Sequence, residues 1–203
     1  MDLQVAHITA LEKGKSRVCL EDGTEFILYK GEIRKLGIEE NGFVTEEMQD
    51  VIFHEILGKR AKKRALHLLE RQDRTEKQLR EKLRQGGYPE HCIEDAIAYV
   101  KGYHYLDDYR YACIYIRYRQ EKKSRQRLCM DLAAKGVERD LIETALEEEY
   151  FSDDIKKIME LLRKRHYTFE AAEENEKRKQ YQFLLRRGFQ SRDILKAMQS
   201  KDR

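Results

Sequence analysis

One short pattern occurs three times in this chain, around glycines 87, 136 and 188. The copies read Leu83-x3-Gly87-Tyr88-x4-Ile93-x2-Ala96-Ile97, Leu132-x3-Gly136-Val137-x4-Ile142-x2-Ala145-Leu146 and Leu184-x3-Gly188-Phe189-x4-Ile194-x2-Ala197-Met198. Every offset from the glycine is shared: apolar at −4, +1, +6 and +10, alanine at +9. Glycine separations of 49 and 52 residues identify a repeated unit. Repeats of this length stack into arrays with long side surfaces rather than one closed pocket, which favours binding over catalysis.

The pattern has a physical reading. A glycine one turn after a buried leucine suits the left-handed position that ends a helix, and the apolar residue after it folds back onto the last turn. A second helix then begins, with Pro89 in its first turn in the first copy and Ser191 as a cap candidate in the third. The alanine at +9 lets a neighbouring helix approach closely. Thr75 and Ser124, twelve residues before their glycines, are expected to cap a preceding helix. One more helix stands ahead of each hairpin: Ala65 to Leu69 lie on it in the first copy, Tyr111 to Tyr118 in the second, Ile155 to Leu162 in the third. The third copy departs, with Glu176 at the cap position, Gln180 replacing the −8 leucine, and an insertion around 166–176.

The first thirty residues differ. Val5, Ile8, Val18, Leu20, Phe26, Ile27 and Leu28 sit in short runs separated by Glu12-Lys13-Gly14-Lys15 and Glu21-Asp22-Gly23-Thr24. The Asp-Gly pair is a hairpin signal. Three antiparallel strands are predicted near 3–11, 16–21 and 25–30, then a short helix over 32–36, then a long helix from Thr45 to near residue 70. The fold expected is mainly α: tandem three-helix repeats in an elongated array, with a small antiparallel β-rich N-terminal segment. The segments are 1–45 (β-rich), 46–105, 106–152 and 153–203 (repeats one to three).

The net charge of +3 conceals segregation. Residues 1–58 are net −6, 59–84 net +7, 117–127 net +5 and 138–154 net −7. Basic residues recur near the middle helix of each repeat. The candidate binding residues are Lys77, Arg80 and Arg84 in the first, then Arg117, Arg119, Lys122, Lys123, Arg125 and Arg127 in the second. Lys177, Arg178, Arg186 and Arg187 complete the set in the third. Stacked repeats would align them into a discontinuous stripe suited to phosphates or an acidic protein groove. The competing reading is a set of solvated helix faces held by i,i+4 pairs.

Several chemistries are excluded. There is no phosphate loop, dinucleotide fingerprint or serine nucleophile elbow, and His54-Glu55 is followed by Gly58 where a zinc-protease helix needs its second histidine. No catalytic residue, metal site, cofactor or small-molecule substrate is expected. Cys19, Cys92, Cys113 and Cys129 have no C-x-x-C spacing and read as buried thiols. Asp107-Asp108 and Asp153-Asp154 read as helix caps rather than metal ligands. Most of the tyrosines from Tyr99 to Tyr118 are expected in the core between repeats, with one or two beside Arg117 and Arg119 able to stack on a base. No apolar run spans a membrane and the start is no signal peptide, so a cytoplasmic protein is expected.

Ala65-Leu66-x-Leu68-Leu69-x-Arg71, Thr75-x3-Leu79-x3-Leu83 and Leu106-Asp107-Asp108-x2-Tyr111-Ala112 resemble the bacterial RecX regulatory proteins. Arg127-Leu128-x3-Leu132-x3-Gly136-Val137 and Arg186-Arg187-Gly188-Phe189 do so too, and the resemblance covers about residues 46–199. It implies a non-enzymatic modulator that lies in the groove of the RecA–single-stranded DNA filament and impedes ATP hydrolysis, strand exchange and co-protease function. The motifs are caps and core positions, so they transfer no binding site. Weak single- or double-stranded DNA binding is compatible with this reading. The alternative is a direct DNA-binding helical protein with basic helices on phosphates.

Overall fold

The computed structural model describes residues 1–168 and 171–199; Phe169 and Glu170, within the insertion expected at 166–176, and the last four residues of the third repeat lie outside them. The chain divides into two compact units, meeting in sequence at Asp107 and Asp108.

The first unit opens with β1 (Leu3–Ala10), β2 (Lys15–Leu20) and β3 (Glu25–Tyr29), an antiparallel meander as expected. A strand missing from the sequence reading, β4 (Phe43–Val44), pairs with Leu3 and Gln4 and sets the order β3-β2-β1-β4. Two residues are too few for a periodicity to register. Val18 pairs with Ile8 on one side and Phe26 on the other. Val5, Val18, Leu20, Phe26 and Leu28 point into the core. Helix α1 (Lys30–Leu36) follows, closed by Gly37 at φ 66°.

The long helix from Thr45 is present but not uniform. Thr45 accepts the Met48 N–H at 3.3 Å to start α2 (Glu46–Asp50). Val51–Gly58 is π-helical, and α3 (Lys59–Arg71) continues it with right-handed backbone at both joints. A side chain at Gly58 would place its Cβ 2.9 Å from the Phe53 carbonyl five residues back, so glycine is what lets the wide turns close. The same carbonyl accepts the Cys92 thiol at 3.4 Å, and the Phe53 ring meets Phe26 of β3 edge-on at 5.4 Å. This stretch thereby joins sheet to helices. Residues of the sheet, α3, α4 (Glu76–Gln85) and α5 (Glu90–Gly102) share one hydrophobic core.

The second unit holds α6 (Asp108–Arg119), α7 (Arg125–Ala134) and α8 (Arg139–Glu149), then α9 (Asp154–Lys164), α10 (Glu174–Arg186) and α11 (Ser191–Gln199). Each helix triplet has its own core, one around Ile116, Leu128 and Ile142, the other around Ile158, Leu184 and Ile194. In all three modules of the chain the first helix packs on the third.

The repeated glycine closes the middle helix the same way each time. Gly87, Gly136 and Gly188 have φ of 76°, 90° and 80°. Their N–H groups donate to Arg84, Ala133 and Leu185 carbonyls at 2.9, 2.9 and 2.8 Å. The following Tyr88, Val137 and Phe189 donate to Leu83, Leu132 and Leu184 at 3.4, 3.2 and 3.3 Å, the paired bonds of a Schellman motif. The −4 leucine is therefore both core residue and capping acceptor. The same bonds end α5 and α9 around His104 and His166, at φ 57° and 53°. Histidine in that conformation carries no signal as plain as glycine's.

Thr75 and Ser124 are the expected N-caps, accepting from Gln78 at 3.3 Å and Arg127 at 3.2 Å. Asp153 caps α9 through the Ile155 and Lys156 N–H groups at 2.9 and 3.3 Å. Three cap positions differ. Pro89 precedes α5 instead of lying in its first turn, and Ser191 is the first residue of α11, not its cap. Helix α10 begins after Glu173 instead of Glu176, giving 13 residues where α4 and α7 have 10. Gln180, in the leucine's place, is buried and accepts the Arg165 Nε at 2.7 Å. Tyr109, Tyr111 and Tyr115 pack on the second module's own core, whereas Tyr99, Tyr103, Tyr105 and Tyr118 are exposed. Two neighbouring rings satisfied the helical spacing equally well, and spacing alone does not say which face is covered.

Candidate functional site

The candidate basic residues fall into two classes, those already neutralised and those left facing solvent. In the first unit, Arg80 lies with Glu76 at 2.8 Å and clasps Glu94 through two nitrogens at 2.6 and 2.9 Å. Arg84 clasps Glu90 in the same way at 2.9 and 2.7 Å. The Glu94 bond chiefly raises the Arg80 guanidinium above its usual value, and Arg84 holds Glu90 below its own. Lys77 is exposed at the start of α4.

In the second unit Arg117 is held by Glu149 at 2.9 and 2.5 Å, and Arg119 lies 5.8 Å from the Tyr115 ring centroid. The Arg125 backbone N–H donates to Asp154 at 3.3 Å while its side chain is exposed. Lys177 pairs with Glu174 at 3.0 Å, and Arg178 is exposed beside it on α10.

The remaining five, Lys122, Lys123, Arg127, Arg186 and Arg187, converge on one hollow of about 600 Å³ within the second unit. It lies where the turn before α7 meets α9 and the end of α10. Lys157 and Lys164 of α9 also line it, making seven cations against the carboxylates of Glu121 and Glu160. These two lysines were absent from the sequence candidates. Their spacing of seven residues puts both on one face of α9, which was the available signal. The five do not share a repeat register: Lys122 and Lys123 precede a middle helix, whereas Arg186 and Arg187 end one. Packing of the second module on the third assembles them.

A polar junction fixes the hollow's floor. The Ser124 hydroxyl donates to the Gly188 carbonyl at 2.7 Å, with the Arg187 carbonyl 3.1 Å away. Lys157 donates to the Lys123 carbonyl at 2.9 Å, to Tyr150 at 2.6 Å and to Asp154 at 3.0 Å, and Tyr150 donates to Asp154. Gln120 accepts the Phe151 N–H at 2.9 Å. Lys123 bonds Asp131 at 2.5 Å and Tyr115 at 3.0 Å, and Arg127 reaches Asp131 at 3.1 Å. Burial would raise the Asp131 carboxyl, but the Lys123 hydrogen bond and nearby cations outweigh it and hold it low.

Lys123, Lys157 and Arg127 thus hold structure, while Lys122 and Arg186 have no side-chain partner among the described residues. Lys164 pairs only with exposed Glu160 at 2.7 Å, and Arg187 rests 4.5 Å from the Phe183 ring centroid. Chemically the hollow offers several guanidinium and ammonium donors to an anion larger than a single ion. Among the described residues no group of three His, Cys, Asp or Glu side chains is placed to hold a metal ion. Cys19, Cys92, Cys113 and Cys129 are free thiols, three of them buried, and burial pushes Cys92 up to about 11. No helix of the described residues is long and apolar enough to cross a membrane.

The junction makes a pH prediction. Burial, reinforced by the bond to Asp154, pushes the Tyr150 phenol far above its ordinary value of 10. A value raised on folding contributes stability that is complete below the unfolded value and lost as pH climbs through the folded one. Urea midpoints measured from about pH 8 to about pH 11 should therefore decline above pH 10, and Tyr150→Phe should make that decline shallower. An identical alkaline profile in the variant would remove Tyr150 from the junction's energetics.

Family models for the three-helix domains of RecX match in order: the first over residues 61–100, the second over 107–146, the third over 152–198. The protein named Regulatory protein RecX of Caldanaerobacter subterraneus subsp. tengcongensis is 34% identical over 165 residues, covering 80% of this chain and 81% of that one. Its namesake in Clostridium botulinum is 30% identical over 200 residues, covering 95% and 94%. A crystal structure of regulatory protein RecX superposes with a TM-score of 0.64 at 23% identity, covering 98% of this chain and all of that one, and shares the fold. The crystal structure of RecX from Lactobacillus salivarius gives 0.60 at 26% identity over 70% of this chain and 94% of its own. Three tandem helix triplets closed by the same glycine cap, matched in order and over nearly full length, mean that this chain belongs to the RecX family of regulatory proteins.

Proposed function

We propose that this protein is a non-enzymatic regulator that binds the RecA–single-stranded DNA filament and lowers its ATPase, strand-exchange and co-protease activities in the cytoplasm. The observation that carries the reading is the cationic hollow. Its solvent-facing donors, Lys122, Arg186 and Arg187 with Lys164 on its exposed partner Glu160, are supplied by different modules and supported by a hydrogen-bonded floor, as a surface for a large anionic partner requires. Family membership supports the choice of partner. The clasped Arg80, Arg84 and Arg117 do less for binding, since their charge is already met by carboxylates.

The experiment is a titration of the protein into RecA hydrolysing ATP on single-stranded DNA. Hydrolysis should fall as the protein approaches stoichiometry with the filament. An unchanged rate at excess would overturn the proposal.

The same donors suit bare phosphates, so direct DNA binding is the second reading. Affinity for naked strand that equals affinity for the filament, and falls steeply with salt, would favour it.

A further inference from the structure

Three exposed tyrosines of the first unit take no part in the regulatory site. Tyr99, Tyr103 and Tyr105 are 36%, 60% and 53% exposed. Their rings form a ladder: Tyr99 and Tyr103 lie 4.9 Å apart at 57°, Tyr103 and Tyr105 6.1 Å apart at 22°. Solvated tyrosines gain little from one another, and three in seven residues leave an apolar surface facing water.

The ladder is fixed in place. His104 takes the left-handed conformation, its N–H donates to Lys101 at 2.9 Å, and the Tyr105 N–H donates to Val100 at 2.9 Å. Leu106 then enters the core at 4% exposure. The rings stand on a closed helix end rather than on a loose loop, so little ordering remains to be done on binding.

Charge selects the occupant. The Lys62 ammonium sits 5.7 Å from the Tyr99 ring centroid, and exposed Lys63 follows it in α3. Residues 59–84, which include both lysines, are net +7, and residues 85–108, which carry the rings, are net −4, so the cations lie on the α3 side of the ladder. Aromatic faces beside ammonium groups match a strand whose bases are unpaired and whose backbone is anionic. A duplex shields its base faces, and an apolar peptide has no use for the cations.

We infer that Tyr99, Tyr103 and Tyr105 form a stacking shelf for unpaired bases of single-stranded nucleic acid, with Lys62 and Lys63 on its phosphates. It stands apart from the regulatory reading, because its test contains no recombinase. The probe is a fluorescein-labelled oligothymidine of about 15 nucleotides, with a duplex of equal length, followed by anisotropy at several salt concentrations. Tyr103→Leu/Tyr105→Leu should bind the single strand at least about tenfold more weakly, stacking being worth about 1–3 kcal/mol per base. Tyr103→Phe/Tyr105→Phe, which keeps the rings, should stay within about twofold. Neither should change duplex affinity or the salt slope, whereas Lys62→Gln/Lys63→Gln should flatten the slope.

Unchanged single-strand affinity in the leucine variant overturns the shelf. Equal loss on strand and duplex does so too, since it would mean a purely electrostatic surface. So does salt-independent capture of apolar peptide in place of the strand. Because both rings are more than half exposed, the variants should unfold at the wild-type midpoint. Tyr103→Leu alone provides the same contrast should the double variant not fold.

Discussion

Lys122→Glu/Arg186→Glu should raise the concentration needed to suppress filament ATPase by about 10–100-fold, roughly 1.4 kcal/mol for each tenfold. Both side chains line the hollow without a partner among the described residues. Their reversal breaks no internal ion pair, and the unfolding free energy from urea titration should change by less than about 0.5 kcal/mol. The loss should shrink as salt rises, because screening weakens what the reversal removes. Lys157 is unsuitable for the same test. It is 11% exposed and bonded to Lys123, Tyr150 and Asp154, so replacing it disturbs the floor before it reports on binding. Suppression by the double variant at wild-type concentrations would dissociate the hollow from the regulatory activity.

The helix triplets were legible because each boundary is written in residues with one physical use. A glycine after a leucine turn has few alternatives to a left-handed cap, and Thr75 and Ser124 had to accept an N–H from the turn they precede. The three long strands were equally plain. What escaped were features whose residues have several uses. Phe43-Val44 is too short to alternate, and Val51–Gly58 reads as an ordinary helix until Gly58 meets the Phe53 carbonyl.

The hollow was half legible. Its five predicted cations are conspicuous by charge, but recurrence near each middle helix was not what united them. Lys122 and Arg186 meet because Ser124 reaches across 64 residues to Gly188, a contact that repeat spacing does not encode. The same limit hid the neutralised residues. Arg80 has its carboxylates four residues back and fourteen ahead, and only the folded helices bring the second within reach.

Gly87→Ala should be strongly destabilising, at about 2–4 kcal/mol. Two costs combine there. The φ of 76° alone is worth about 1–2 kcal/mol against a residue with a Cβ. An added Cβ would also lie 2.2 Å from Ile27 Cδ1 and 2.7 Å from its Cγ1, so the Ile27 side chain must leave its rotamer or the backbone must shift. Gly188→Ala meets the Ser124 oxygen at 3.0 Å and the Arg127 backbone nitrogen at 3.3 Å, and should approach the same loss. Gly23→Ala separates the two costs: its φ is 86° but nothing lies within 4 Å, so only the conformational penalty of about 1–2 kcal/mol applies. Urea unfolding followed by circular dichroism gives each value, the chain having no tryptophan. A double-mutant cycle isolates the contact. Ile27→Ala removes the Cδ1 and Cγ1 atoms, leaving its Cβ at an ordinary 3.4 Å, so Gly87→Ala should be about 1–2 kcal/mol less damaging in that background. If the two substitutions simply add, the repeat's first cap does not press on the sheet, and the shared core of sheet and first module must be held by Phe53 and its neighbours instead.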